Sequence, residues 1–485
     1  MLFNSIPFLI FFPAVVLLYF LIPDRFRTLW LLCVSYYYYM YLDPKYALFL
    51  IASTLITYTG GRLIAAADTV KKKKCLVAIS VILNLFFLIF FKYANFLTDT
   101  CSGLLSLFGV QYEPTKLNLI LPVGISFYTF QSMSYIIDSY RGEVKTEKNI
   151  IKYALFVSFF PNILAGPIER SKNLLKQFEE KHVFDYNRVR DGLILMLWGY
   201  FQKVVIAARL AILTDMVYGN FENHTGITLV IGIFFYGFEI YCDFASYSNI
   251  AIGAAKVMGF TLMTNFKQPF FSKNVKEFWR RWHISLNTWF VDYLYIPMGG
   301  SRVSKWRKYF NTMVVFLASG MWHGASLNYI LWGAVNGIFQ IAGDLLKPVR
   351  KQCCKLLHYD FSNRIGKAIQ IAFTFILFHI SLVFFVSGSV HDALEIFRRM
   401  FTGFSLRPLF DGTLYGLGLG VANFYILLFS LLILLIVDLI QEKKEAFIYL
   451  AAKPVVIRWA FYYLLISMIL LSCNLSTQEF LYMNF

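Results

Sequence analysis

Apolar residues run through this chain in blocks close to twenty long, separated by short polar intervals. Blocks fall at 6–22, 26–42, 46–64, 75–96, 119–140, 150–168 and 193–218. Further blocks fall at 227–241, 250–262, 309–321, 325–345, 369–386, 417–440 and 456–473. Each is expected to be a helix, and the longer ones reach the roughly 20 residues that cross a bilayer. The fold class expected is an all-α polytopic membrane protein. No internal repeat, low-complexity linker or soluble domain interrupts the pattern, so residues 1–485 are expected to form a single transmembrane domain.

The polar intervals orient the blocks. Lys71, Lys72, Lys73 and Lys74 form a cationic turn, and the intervals 141–152, 267–281, 302–308, 347–355 and 442–453 are also basic. Such intervals stay on the cytoplasmic side. The interval 218–225 has no Lys or Arg and 99–116 is nearly neutral, so both are expected outside. Simple alternation breaks twice. Residues 170–190 are basic, so 150–168 is expected not to cross, with a helix break near Gly166-Pro167. Blocks 227–241 and 250–262 are short, and one of them is expected not to cross. The stretch 272–300 is aromatic, amphipathic and too charged for lipid. Irregular backbone at membrane depth survives only against protein or a water-filled cavity, so a re-entrant region is expected there. The interval 387–416 is the longest outside segment, although its Arg398, Arg399 and Arg407 run against the positive-inside pattern.

Composition removes other classes. The chain is 58% hydrophobic with a mean hydropathy of +0.59, which excludes a soluble enzyme. A formal charge of +17 would suggest nucleic acid in a soluble protein. Here the cations cluster in short loops, so the bilayer is the partner expected and nucleic acid is not. The cysteines show no CxxC spacing, which gives no reason to expect a disulfide framework or a metal site. The first block lacks a basic leader and a small-residue cleavage site and reads as a retained span.

Candidate chemistry collects in residues 271–337. A histidine at membrane depth is costly and by default marks function. His323 lies in Gly320-Met321-Trp322-His323-Gly324, where the glycines allow a kink or close backbone approach. It is a candidate general base in a water-accessible pocket; a core histidine bonded to a helix carbonyl is the competing reading. His283 precedes Ser285 and Asn287, and on a helix His283 and Asn287 share a face. Trp322, Ser285 and Asn287 are candidate tunnel residues. Asp243 either orients a histidine, lines the pocket or caps the following helix. Lys276, Arg280 and Arg281, with Arg302, Lys305, Arg307 and Lys308, either meet phosphates of a cytosolic donor or form a plain cytoplasmic belt. His379 reads as a core histidine, His391-Asp392 as a chance pair, and His182, His224 and His358 as loop residues. No GxSxG, HExxH, P-loop or GxGxxG occurs, so no metal or tightly bound cofactor is expected.

Taken together, the motifs resemble the membrane-bound O-acyltransferase family, in the branch that O-acetylates bacterial polysaccharides such as alginate. The resemblance rests on FWRRWHISLNTWFVDYLYIPMGG (278–300), SGMWHGASLNYILWGAVNG (319–337) and YCDFASYSNIAIGAAKVMGF (241–260). LPVGISFYTFQSMSYIIDSYRG (121–142), FFPNILAGPIER (159–170), the opening MLFNSIPFLIFF and the closing Tyr482-Met483-Asn484-Phe485 fit it too. The signature core is 121–340. The resemblance implies about 11–14 transmembrane or re-entrant helices around a central tunnel, in the cell membrane. It implies that His323 is catalytic and that His283 is the second signature position.

It further implies transfer of an acetyl group from a cytoplasmic thioester, acetyl-CoA, entering near 267–308. The acceptor is a hydroxyl of a periplasmic or surface polysaccharide, reached directly or through a separate esterase-like SGNH-type transferase. Neutral His323 would take the hydroxyl proton, with His283, Asn287 or a backbone N–H near Gly324 holding the oxyanion. D-alanyl transfer to teichoic acid from a carrier protein is the sibling alternative. A transporter or flippase for an anion is the alternative of another class, without the inverted repeat such proteins often carry.

Overall fold

A computed structural model describes residues 1–473 except 111, 113, 114, 118, 120, 357–362 and 445; the side chains of 353, 354 and 446–448 are also left undescribed. His358 and the closing Tyr482-Met483-Asn484-Phe485 motif therefore lie outside the described residues. All regular elements among the described residues are helices. Seven are long and apolar enough to cross a membrane: Tyr46–Ala66, Val70–Leu107, Tyr186–Tyr218, Ile227–Met258, Arg364–Val386, Gly420–Gln441 and Val455–Ser472. The chain is an all-helical, multi-pass membrane protein, as its apolar blocks indicate. The described residues group into two compact units, Met1–Met196 with Ile250–Met263, and Leu197–Asn249 with the residues from Thr264 onward.

In the first unit Tyr46–Ala66 packs on Val70–Leu107 and Ile125–Arg141. A Cβ at Gly60 would stand 2.3 Å from Ser80 Oγ, and one at Gly61 would stand 2.8 Å from the Tyr135 ring. Neighbouring side chains lie directly against these two glycines, the small-residue packing that joins helices in lipid. Val70–Leu107 has 38 residues, so the lysines at 71–74 begin a helix and much of the interval expected as a loop from 99 is helical. The block 150–168 breaks, but earlier than the Gly166-Pro167 expected, its helix ending at Ser158. Helix Ile150–Ser158 has nine residues, about 14 Å of rise and half of a hydrocarbon core. Buried turns follow, held where Asn162 donates to Gln131 Oε1 at 2.9 Å and accepts the Gly166 N–H at 3.1 Å.

One expectation fails. Blocks 227–241 and 250–262 are not two short segments, because the helix runs unbroken from Ile227 to Met258. The polar residues that suggested a break are satisfied within the second unit. Asp243 Oδ1 pairs with Lys203 Nζ at 2.5 Å, Ser246 Oγ donates to the Asp243 carbonyl at 2.6 Å, and Asn249 donates to Gln202 at 2.8 Å. Lys203 and Gln202 belong to a π-helical segment, Phe201–Ala207.

The centre of the second unit is the hairpin of Lys305–His323 and Leu327–Leu345, with Arg364–Val386 packed on its second helix. Ser326 caps that helix by accepting the Asn328 N–H. A Cβ at Gly320 would stand 2.2 Å from the Tyr329 carbonyl oxygen, and one at Gly333 2.3 Å from that of Phe316. The two helices touch through glycine, which brings His323, at the end of the first, against Trp332 on the second.

Candidate active site

The charged stretch 272–300 folds as two short helices around a histidine. Val275–Arg281 starts where Asn274 Oδ1 accepts the Glu277 N–H at 2.9 Å. It stops at Trp282, and Ile284–Phe290 begins at once in a new direction. The reversal falls on His283, whose φ of +45° is left-handed. That conformation costs a non-glycine residue about 1–3 kcal/mol and persists only when the surroundings impose it. Two asparagines impose it here. Asn265 accepts the Ile284 N–H on its carbonyl at 2.9 Å and the Ser285 N–H on its side chain at 3.2 Å. Asn287 Nδ2 donates to the carbonyls of Trp279 at 2.7 Å and Trp282 at 2.5 Å. The chain then passes through a π-helical turn, Val291–Tyr295, a distortion that recurs at functional sites.

The two histidines, distant in sequence, stand on either side of one indole. Trp322 lies 5.7 Å from the His283 ring and 5.0 Å from that of His323, centre to centre. His323 also meets Trp332 edge to face at 5.0 Å and Phe385 at 5.4 Å. His283 meets Phe244 at 4.6 Å. His323 is only 3% exposed, so rings enclose it where a water-accessible pocket was expected.

A cavity of about 490 Å³ opens between the two short helices and the hairpin. This lies within the 300–1,000 Å³ or so typical of small-molecule sites. Lys276, Arg280 and Lys308 line it, along with Asn287, Thr288, Thr312, Phe316 and Trp279. Lys308 Nζ is paired with Asp344 Oδ2 at 2.5 Å. Lys276 and Arg280 make no ion pair among the described residues and remain available to an anion. Trp279, in the lining, packs edge to face on Trp332 at 5.6 Å. Two indoles thus lead from the cavity to His323.

Other expected residues stand elsewhere. Arg281 does not line the cavity; its guanidinium is held by Glu277 at 2.7 Å and by Glu442. Arg302, Lys305 and Arg307 are likewise not in the lining. Asp243 lies in mid-helix, paired with Lys203, and neither caps a helix nor lines the cavity. Ser285 is fully buried at the turn beneath His283. Asn287 does line the cavity, but its amide N–H groups already serve two carbonyls. Of the backbone N–H groups near Gly324, that of Gly324 itself bonds the Gly320 carbonyl at 3.4 Å. His379 is the core histidine expected, with Nδ1 2.7 Å from the Phe375 carbonyl oxygen. His391 is exposed, and no cluster able to hold a metal occurs among the described residues. Trp279 and Trp332 were not singled out from sequence. The usable signal was that a buried indole N–H needs an acceptor.

The second unit of this multi-pass helical protein thus holds a buried histidine pair and a cation-lined cavity, whose lining includes neither histidine. The sequence profile of MBOAT, the membrane-bound O-acyltransferase family, matches residues 143–390. The chain belongs to that family and is an O-acyltransferase of the cell membrane, for which an acyl donor is a substrate. It is similar to the probable alginate O-acetylase of Pseudomonas putida, at 37% identity over 406 residues, 83% of this chain and 80% of that one. It is similar to the peptidoglycan O-acetyltransferase of Helicobacter pylori, at 31% over 432 residues, 82% and 80% of the two chains. The teichoic acid D-alanyltransferase of Bacillus subtilis matches at 29% over 282 residues, 53% of this chain and 67% of its own.

Proposed function

We propose that this O-acyltransferase moves an acetyl group from cytoplasmic acetyl-CoA to a hydroxyl of an extracytoplasmic polysaccharide. The observation that carries the reading is the cavity, with two uncommitted cations in its lining and two indoles leading from it to His323. Lys276 and Arg280 suit the phosphates of a coenzyme thioester, and the cavity suits its arm. Acetyl is favoured over D-alanyl because the O-acetylating relatives match over four fifths of the chain and the D-alanylating one over about half. The acceptor receives the group directly or through a separate SGNH-type transferase; a hydroxyl on either gives the same chemistry.

In this reading the neutral His323 imidazole takes the proton of the acceptor hydroxyl. The hydroxyl oxygen bonds to the acyl carbon, the carbon–sulfur bond breaks, and the imidazolium returns the proton to the departing thiolate. His283, across Trp322, orders the rings around the base.

The test is base-labile acetate on surface polysaccharide from cells making the wild type or His323→Ala, with membrane levels matched. General-base catalysis is worth about 10²–10⁴-fold, so the variant should leave almost no acetate. Full acetylation by His323→Ala would remove the histidine from the mechanism. No acetate from the wild type would shift the donor toward D-alanine, detected as its own ester.

A further inference from the structure

Acyl transfer passes through a tetrahedral oxyanion that needs a hydrogen-bond donor already in place. Of the donors near His323, Asn287 is committed to two carbonyls and the Gly324 N–H to the Gly320 carbonyl. Trp332 differs. It is 3% exposed, and its Nε1 has no hydrogen-bond partner among the described residues. Its ring stands perpendicular to the His323 imidazole at 5.0 Å. Buried indole N–H groups ordinarily find an acceptor, and one left bare on a ring that packs against the base fits an acceptor that arrives with the substrate. Its backbone is well fixed, because the neighbouring Gly333 is pressed against the Phe316 carbonyl across the hairpin. A donor on a rigid element is what preorganised charge stabilisation requires.

We propose that the Trp332 Nε1–H holds the oxyanion formed when the acceptor hydroxyl attacks the acyl carbonyl beside His323. This rests on His323 being the base. As the carbon–oxygen bond forms, negative charge moves onto the former carbonyl oxygen, which accepts the indole proton's hydrogen bond. When the carbon–sulfur bond breaks, the carbonyl re-forms and the contact weakens. The indole donates no proton outright, so the balance of the transfer is unchanged. The contact strengthens toward the transition state and should appear in kcat more than in KM.

The test replaces Trp332 with 3-benzothienylalanine by codon suppression in the full-length protein. That residue keeps the bicyclic shape and puts sulfur where the N–H stood. Acetyl-CoA turnover, with a soluble oligosaccharide acceptor in detergent, is measured beside the thermal unfolding midpoint. The expected result is a kcat lower by about 10²-fold, with an unchanged midpoint and a donor KM within about twofold. Wild-type kcat overturns the proposal, and so does a kcat loss accompanied by a lowered midpoint or a raised KM, which marks packing. His323→Ala runs alongside. If it stays active, the base assignment fails and takes this proposal with it. If it is inactive while the benzothienyl protein is unimpaired, only the oxyanion role falls.

Discussion

Lys203 and Asp243 are ionisable residues in apolar helices, 5% and 4% exposed at their side chains. Each charge is tolerable because the other stands 2.5 Å away. Removing one partner of such a pair leaves a buried charge uncompensated, at a cost of about 3–5 kcal/mol, whereas an apolar pair of similar volume is often neutral. Asp243→Asn should therefore lower the thermal midpoint of the solubilised protein sharply, and Lys203→Met with Asp243→Leu should recover most of it. A double variant no better than the single would mean that Asp243 matters for more than its partner's charge. The pair also shows where residue-level reading stopped. From sequence, Asp243 suggested a helix end, because its partner lies forty positions upstream and nothing local announces it. His283 and His323 were legible because a histidine in an apolar run is conspicuous by itself. Trp322, between them, was named with them, but Trp279 and Trp332 behind were not, since tryptophan is unremarkable in such a chain.

Two kinds of glycine occur in the second helix of the central hairpin. A Cβ at Gly333 would meet backbone at 2.3 Å, whereas one at Gly343 would meet nothing within 4 Å. Gly333→Ala should push the helices apart and destabilise by the roughly 1–3 kcal/mol of overpacking. Gly343→Ala should be neutral or stabilising, by up to about 1 kcal/mol of helix propensity. Unfolding midpoints of the two variants distinguish them, and equal effects would refute the close approach.

The arginines of the interval 387–416 find their partners on and around the helix Val390–Phe401. The Gly226 N–H donates to the Arg399 carbonyl at 2.9 Å, and Arg399 Nη1 donates to the Glu222 carbonyl at 2.5 Å. The segment thus lies beside the cation-free loop that follows Tyr218. Arg398 and Arg399 share Glu395 at 2.5 and 2.7 Å, and Arg407 pairs with Asp411 at 3.4 Å. Their charges are locally compensated. Hydrogen bonds from Arg398 and then Arg399 hold the Glu395 carboxyl down at about 2. A carboxyl depressed below its unfolded value near 4.3 adds stability that is complete at neutral pH and is lost as pH falls through that interval. Hydrogen exchange along 390–401 should be flat from pH 7 to about 5, after correction for intrinsic rates, and quicken below about 4. In Glu395→Gln the acid step should vanish; a step that persists belongs to another group.

At the scale of the whole chain, apolar block length located the helices well, because a membrane span is written locally. It also found that 150–168 is not one continuous helix. It misread 241–249, where polar residues face protein inside a continuous helix. The cavity was only half legible. Lys276, Arg280 and Lys308 were among the candidate cations, but which of the basic residues turn inward depends on how four helices meet. Arg281, next to Arg280, points its charge at Glu442 instead.

The ring-lined burial of His323 bears on how the enzyme behaves when idle. A thioester is spent if an activated water reaches it before an alcohol does. With Trp322, Trp332 and Phe385 packed around an imidazole that is 3% exposed, the proposed base has little bulk solvent to activate. Futile turnover should be slow: without an acceptor, donor loss in wild-type membranes should match that in membranes with His323→Ala. Opening the wall with Phe385→Ala should raise that leak while lowering productive transfer. The aromatic residues so abundant in this chain would then serve economy as well as packing, keeping the cell's acyl donor from draining through a resting catalyst.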